Sequence, residues 1–154
     1  MSDPIRHLHV LRNNPFIFST ALRVFFESLG PKDRGLLAGY LVLPLVLYPQ
    51  SRTYLLQRPD KRSCLRIMLR QRERIFGIGD KVTVHQQLTD TTIQYLVDSK
   101  TVSIDDRLAV RIVDGKTTEE LSPDRISEAA ERLGRYCRPF DVPTVFRLLG
   151  VMSL

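Results

Sequence analysis

Apolar positions near the start of the chain recur with the period of a helix rather than of a strand. Phe18, Leu22, Phe25, Phe26 and Leu29 share one face when residues 15–29 are wound as an α-helix. Asn14 is a suitable N-cap. Pro15 at the first helical position has its φ preset and no amide to leave unpaired, and Gly30 followed by Pro31 ends the element. Positions 36–48 then read LLAGYLVLPLVLY, thirteen residues without a charge. Asp33 can cap a second helix running to Leu43 and bending or ending near Pro44. Such a helix is apolar almost all round, so it must be enclosed by the other helices or by a partner subunit. A core helix is the simpler reading. A partner stays open because a chain of 154 residues does not easily cover a helix on every side.

After a loop ending in QRPD, the spacing predicts a third helix over 60–76, with Leu65, Met68, Leu69, Ile75 and Phe76 inward. Arg62, Arg66, Arg70 and Arg74 repeat every four residues and form a stripe on another face. Gly77 and Gly79 break this helix. A short element at 80–87 and a helix at 89–99 come next, the latter with Ile93, Leu96 and Val97 inward. TVSI and LAVRIV, separated by DDR, read as a β-hairpin, and Asp114-Gly115 closes its second strand with a turn. Two more helices complete the pattern. One spans 122–138, with Ser122 as cap, Pro123 at the first position and Ile126, Ala129, Ala130 and Leu133 buried; the other spans 142–149.

Helix, helix, hairpin is the order of a winged helix-turn-helix. The expected fold is mainly α with a small β-hairpin: a winged helix-turn-helix-like core with additional N- and C-terminal helices. The chain is read as a single domain over 1–154. It has an apolar helical part at 1–58, a winged-helix-like part at 60–117 and C-terminal helices at 121–154.

Charge sharpens this picture. The chain carries +6 at neutral pH, and residues 58–74 alone hold seven basic against two acidic residues, a net of +5. Like charges four apart repel slightly and gain nothing without an anion, so Arg62, Arg66, Arg70 and Arg74 are candidate contacts to nucleic acid or to an acidic partner face. The alternative is a solvated face whose arginines lie over the core edge. Cys64 and Cys137 lie far apart without metal-ligand spacing and read as reduced thiols. The N-terminus MSDPIRHLHVLR lacks a basic region followed by an apolar one, and the run at 36–48 is shorter than the roughly 20 residues that span a bilayer. The expectation is a soluble cytoplasmic protein with no membrane partner.

The candidate recognition helix, LTDTTIQYLVDSK, carries Asp90 and Asp98 with Lys100 only at its end, and Gln94 alone suits a base edge. Sequence-specific DNA binding is therefore the weaker reading, although a free-standing winged-helix transcriptional regulator, with Arg107 and Arg111 of the hairpin near the minor groove or backbone, remains the competitor. Enzyme chemistry finds no support. His7 and His9 form an H-x-H that needs further ligands from elsewhere, His85 stands apart, and GIG at 77–79 lacks the lysine and serine or threonine of a phosphate loop. Paired acids at Asp105-Asp106 and Glu119-Glu120 lie in loops, where solvation is their ordinary state. No catalytic residue, metal or cofactor is expected.

The opening NNPF with its aromatic helix, continued by GLLAGYLVLPLVLYPQSR, resembles the middle components of bacterial three-component ABC systems. The resemblance covers residues 13–52; the remainder is similar in length and in its helix-hairpin-helix order. It implies an accessory adaptor without catalysis of its own. Its partners would be an SMC-like ABC ATPase and a nuclease-type effector, in anti-phage or anti-plasmid conflict including Lamassu-type defence, with DNA met through the complex. On that reading Leu41, Leu43, Leu45 and Leu47 are candidates for the partner interface.

Overall fold

The computed structural model describes residues 15–57, 64–113 and 125–151. Its first helix, α1 (Pro15–Leu29), stands where the apolar period puts it, and Phe18, Leu22, Phe25, Phe26 and Leu29 are all buried. Gly30, at φ 74°, takes the left-handed conformation that ends the helix, and its amide donates to the carbonyl of Phe26 (3.0 Å).

The apolar run departs from expectation. It is not one helix to Leu43 but three pieces: α2 (Gly35–Ala38), a 3-10 turn (Gly39–Leu41) and α3 (Val42–Val46). Two constraints explain the break. A Cβ on Gly39 would stand 2.6 Å from Cζ of Phe26, so the backbone lies directly against that ring. Pro44, whose ring would meet the carbonyl four residues back in a continuous helix, sits in the first turn of α3, where its missing amide costs nothing. Asp33 does not cap α2 either. Arg34, left-handed at φ 62°, occupies that position, and the amides of Arg34 and Leu36 donate to the carbonyls of Arg107 and Leu108 at the hairpin tip (2.8 and 2.9 Å). A further helix, α4 (Pro49–Leu56), occupies what reads as loop. Its apolar residues form no clean stripe, so periodicity passes it over.

The predicted helix over 60–76 is broken as well. Among the described residues it consists of α5 (Leu65–Met68) and a 3-10 turn (Arg72–Ile75). Leu65 and Met68 are buried and Leu69 and Ile75 half-buried, but Phe76 is 80% exposed instead of inward. After Gly77, left-handed at φ 68°, the two elements expected at 80–87 and 89–99 are one continuous helix, α6 (Ile78–Asp98). Valines and threonines lower its local helix propensity. Burial of Ile78, Val82, Thr89, Thr92, Ile93 and Leu96 along one face outweighs that, while the hydroxyls of Thr83, Thr91 and Thr92 donate to carbonyls four residues back. Val97 faces outward rather than inward.

The hairpin is where the alternating pattern places it. Strands β1 (Val102–Ile104) and β2 (Val110–Ile112) pair antiparallel, with Val102 opposite Ile112 and Ile104 opposite Val110. α7 (Arg125–Cys137) buries Ala129, Ala130 and Leu133 as expected, with Ile126 half-buried, and α8 (Val142–Leu149) ends on left-handed Gly150. Asn14, Asp114-Gly115, Ser122 and Pro123 lie outside the described residues.

Among the described residues the protein is thus mainly helical with one two-stranded antiparallel sheet. α1 is the axis of the packing: α7 lies along it, α6 packs on it, and β2 meets it. α7 comes close to the α1 backbone at Gly134, where a Cβ would stand 2.7 Å from the Phe25 carbonyl oxygen and 2.8 Å from the Ser28 Cβ. α3 closes the core between α6, α4 and α7, and α8 packs against α2.

Candidate interaction surface

Arg74 leaves the predicted stripe, because the helix that would align it with Arg66 and Arg70 stops at Met68. Arg62 lies outside the described residues. Arg74 turns inward. Its Nη1 donates to the carbonyls of Met68 (3.1 Å) and Ile67 (3.3 Å) at the end of α5, the latter also accepting from the Arg70 amide (3.2 Å), and its guanidinium carbon lies 4.3 Å from the centre of the Tyr54 ring. Tyr54 in turn donates through its hydroxyl to the Cys64 carbonyl (3.3 Å). Arg74 therefore closes the α5 turn onto α4 and is not offered to a ligand.

Arg66 and Arg70 remain exposed or nearly so, and Arg72, which the four-residue spacing skips, is exposed beside them. The guanidinium of Arg66 lies over the ring of Phe140 at 5.4 Å. That contact joins α5 to the segment between α7 and α8, where Arg138 is also exposed. Among the described residues Arg66, Arg70, Arg72 and Arg138 form no ion pair. Nothing in the sequence links Arg138 to the others; only the docking of α5 on α7 does so.

Lys32 fixes the Arg138 segment from below. Its Nζ donates to the carbonyls of Arg138 and Phe140 (both 2.7 Å) and of Cys137 (3.4 Å), and burial pulls its pKa below the usual lysine range. On the far side Asp141 caps α8, accepting from the Thr144 amide (2.9 Å), and the Thr144 side chain and then this amide hold its carboxyl below the ordinary range. Arg138 and Phe140 thus stand on a short connection pinned at both ends.

The apolar candidates have another fate. Leu41, Leu43 and Leu45 are buried in the chain's own core, while Leu47 is half-buried. The exposed face of α6 is acidic. Asp90 accepts from the Tyr40 hydroxyl, whose pKa is pushed up to about 12 chiefly by burial and then by this bond, and Asp98 accepts from Gln94 (2.8 Å). Gln94, the side chain suited to a base edge, is therefore already engaged. In the hairpin, Arg111 is exposed and Arg107 lies 3.9 Å from Asp33.

Titratable groups elsewhere are spread out. His85 is half-buried with Nε2 3.5 Å from the Tyr48 hydroxyl, and burial lowers its pKa; Lys81 lies 4.0 Å over the same tyrosine ring. Cys137 is buried, which pushes its thiol to about 12, and neither cysteine is in a disulfide. His7 and His9 lie outside the described residues, and among the described residues no three His, Cys, Asp or Glu side chains are grouped to hold a metal ion. No described helix is long and apolar enough to cross a membrane.

Neither curated proteins nor solved structures provide a match. A family model does, over residues 2–153, nearly the whole chain and far beyond the 13–52 stretch that carries the sequence resemblance. The chain belongs to the ABC-three component (ABC-3C) system Middle Component 3 family.

Proposed function

We propose that this middle component is a non-catalytic adaptor. It docks on the SMC-like ABC ATPase of its system and couples DNA sensing to a nuclease-type effector, in anti-phage or anti-plasmid defence of the Lamassu kind. The observation that carries this reading is the family match across nearly the whole chain, which makes the protein one part of a multi-component ABC system. The fold agrees with it in one respect: the conspicuous apolar run is spent on internal packing, so docking falls to exposed polar and charged surface. A free-standing sequence-specific regulator is disfavoured by the acidic outer face of α6 and by the engagement of Gln94 with Asp98.

Co-expression with the neighbouring genes, and then mass spectrometry of the intact assembly, tests the proposal. The expected result is a stable complex containing the ATPase. A lone monomer or dimer that shifts one particular DNA fragment would instead establish the regulator.

A further inference from the structure

Four guanidiniums without ion pairs among the described residues lie on two segments that α5 brings together; the exposed acids described in or next to those segments are Glu73, Asp80 and Asp141, the last engaged in the α8 cap. Guanidinium forks suit phosphate oxygens bidentately, and repulsion among unpaired arginines is relieved when a polyanion binds. The second observation is Phe76. It is 80% exposed at the end of the same 3-10 turn, held just ahead of left-handed Gly77, with Arg70 and Arg72 a few residues before it. A large aromatic ring left in water a few residues from exposed arginines is a combination suited to unpaired bases, because every base offers a π-face and the backbone supplies the charge. A closed duplex presents phosphates but keeps its base faces stacked. An acidic protein surface would meet the arginines and leave the ring without a matching group.

We propose, resting on the DNA-associated part of the reading above, that Arg66, Arg70, Arg72 and Arg138 together with Phe76 form a surface for single-stranded nucleic acid. The guanidiniums track the phosphates and the Phe76 ring stacks on a base. Arg74 takes no direct part; it holds the turn that presents the others. The acidic outer face of α6 repels a strand and confines it to this side.

Fluorescence polarisation of the full chain tests this with a labelled oligothymidylate of roughly 20 nucleotides and a duplex of the same length, each over a salt series. The strand binds more tightly than the duplex. The double variant Arg70→Gln, Arg72→Gln lowers the slope of log affinity against log salt for the strand by about 1.4, about 0.7 for each lost phosphate contact. Phe76→Ala weakens strand binding about fivefold or more while leaving that slope and duplex binding unchanged. Arg111→Gln on the hairpin changes neither. Failure of the chain to bind the strand, an unchanged slope in the double variant, or an equal loss in Arg111→Gln would overturn the proposal. So would double-variant and Phe76→Ala proteins that keep strand affinity but no longer co-purify with the ATPase, which would mark the surface as a protein contact. If instead they lose the strand and still co-purify, the proposal stands. Failure of the unaltered chain to co-purify would strike the adaptor reading alone.

Discussion

Arg70 and Arg74 are the same residue type one helical turn apart in the predicted stripe, yet they end in opposite roles. Arg74 stacks on Tyr54 and takes the carbonyls of Ile67 and Met68, whereas Arg70 points into solvent. Removing Arg74 deletes a cation–π contact and takes its donor from the Met68 carbonyl, while the Ile67 carbonyl keeps the Arg70 amide, so Arg74→Ala lowers unfolding free energy by about 1–2 kcal/mol. Arg70→Ala stays within about 0.5 kcal/mol. Urea unfolding of the two variants checks the difference, and equal effects would mean that Arg74 is not the bracket described. The sequence displays both arginines and their charge. Which one meets a carbonyl and which meets water depends on a helix end that packing sets.

Among the elements, those with a clean apolar period were legible: α1 with its glycine stop, the β-hairpin, α7 and α8. Those governed by close approach were not. Gly39 under the Phe26 ring breaks the apolar run, α4 hides in a pattern without a stripe, and α6 runs through the position where a joint was expected, held by its buried face. Gly134 marks a tight junction of another kind, α7 against the backbone of α1. A methyl there meets a main-chain oxygen that cannot turn aside, so Gly134→Ala costs about 1–3 kcal/mol despite the better helix propensity of alanine. Thermal unfolding measures it; an unchanged or raised midpoint would show that α1 and α7 can part without loss.

Over the whole molecule, acid acts in two steps. Burial lowers the pKa of His85 below its ordinary 6.5, so the unfolded chain binds the extra proton first. The stability that neutral His85 maintains is complete above about pH 6.5 and is lost as pH falls through its lower folded value. Asp105, whose carboxylate accepts from the amides of Ala109 and Arg107, and Asp141 at the α8 cap both titrate below 3.8. Their contribution is present above that value and lost as pH falls through their folded values. Melting temperatures recorded from about pH 8 to about pH 3 should show both declines. His85→Gln abolishes the upper one and leaves the lower; an upper decline that persists in that variant would assign it to another group.

Periodicity, turn residues and charge are local properties, and the sequence by itself determined their direct consequences: a mainly helical chain with one hairpin, the ends of α1, the identity of the core residues of α1 and α7, and a basic segment near residues 58–74. The family resemblance in residues 13–52 was legible on the same terms, as a run of residue types in order. Tertiary structure decided what depends on residues far apart in the chain. It buried Leu41, Leu43 and Leu45 rather than offering them to a partner, drew Arg74 out of the stripe, and brought Arg138 to Arg66 through the Phe140 ring. The physical reason is common to all three: an apolar or cationic side chain can be satisfied in several ways, and only the neighbours that the fold supplies select among them.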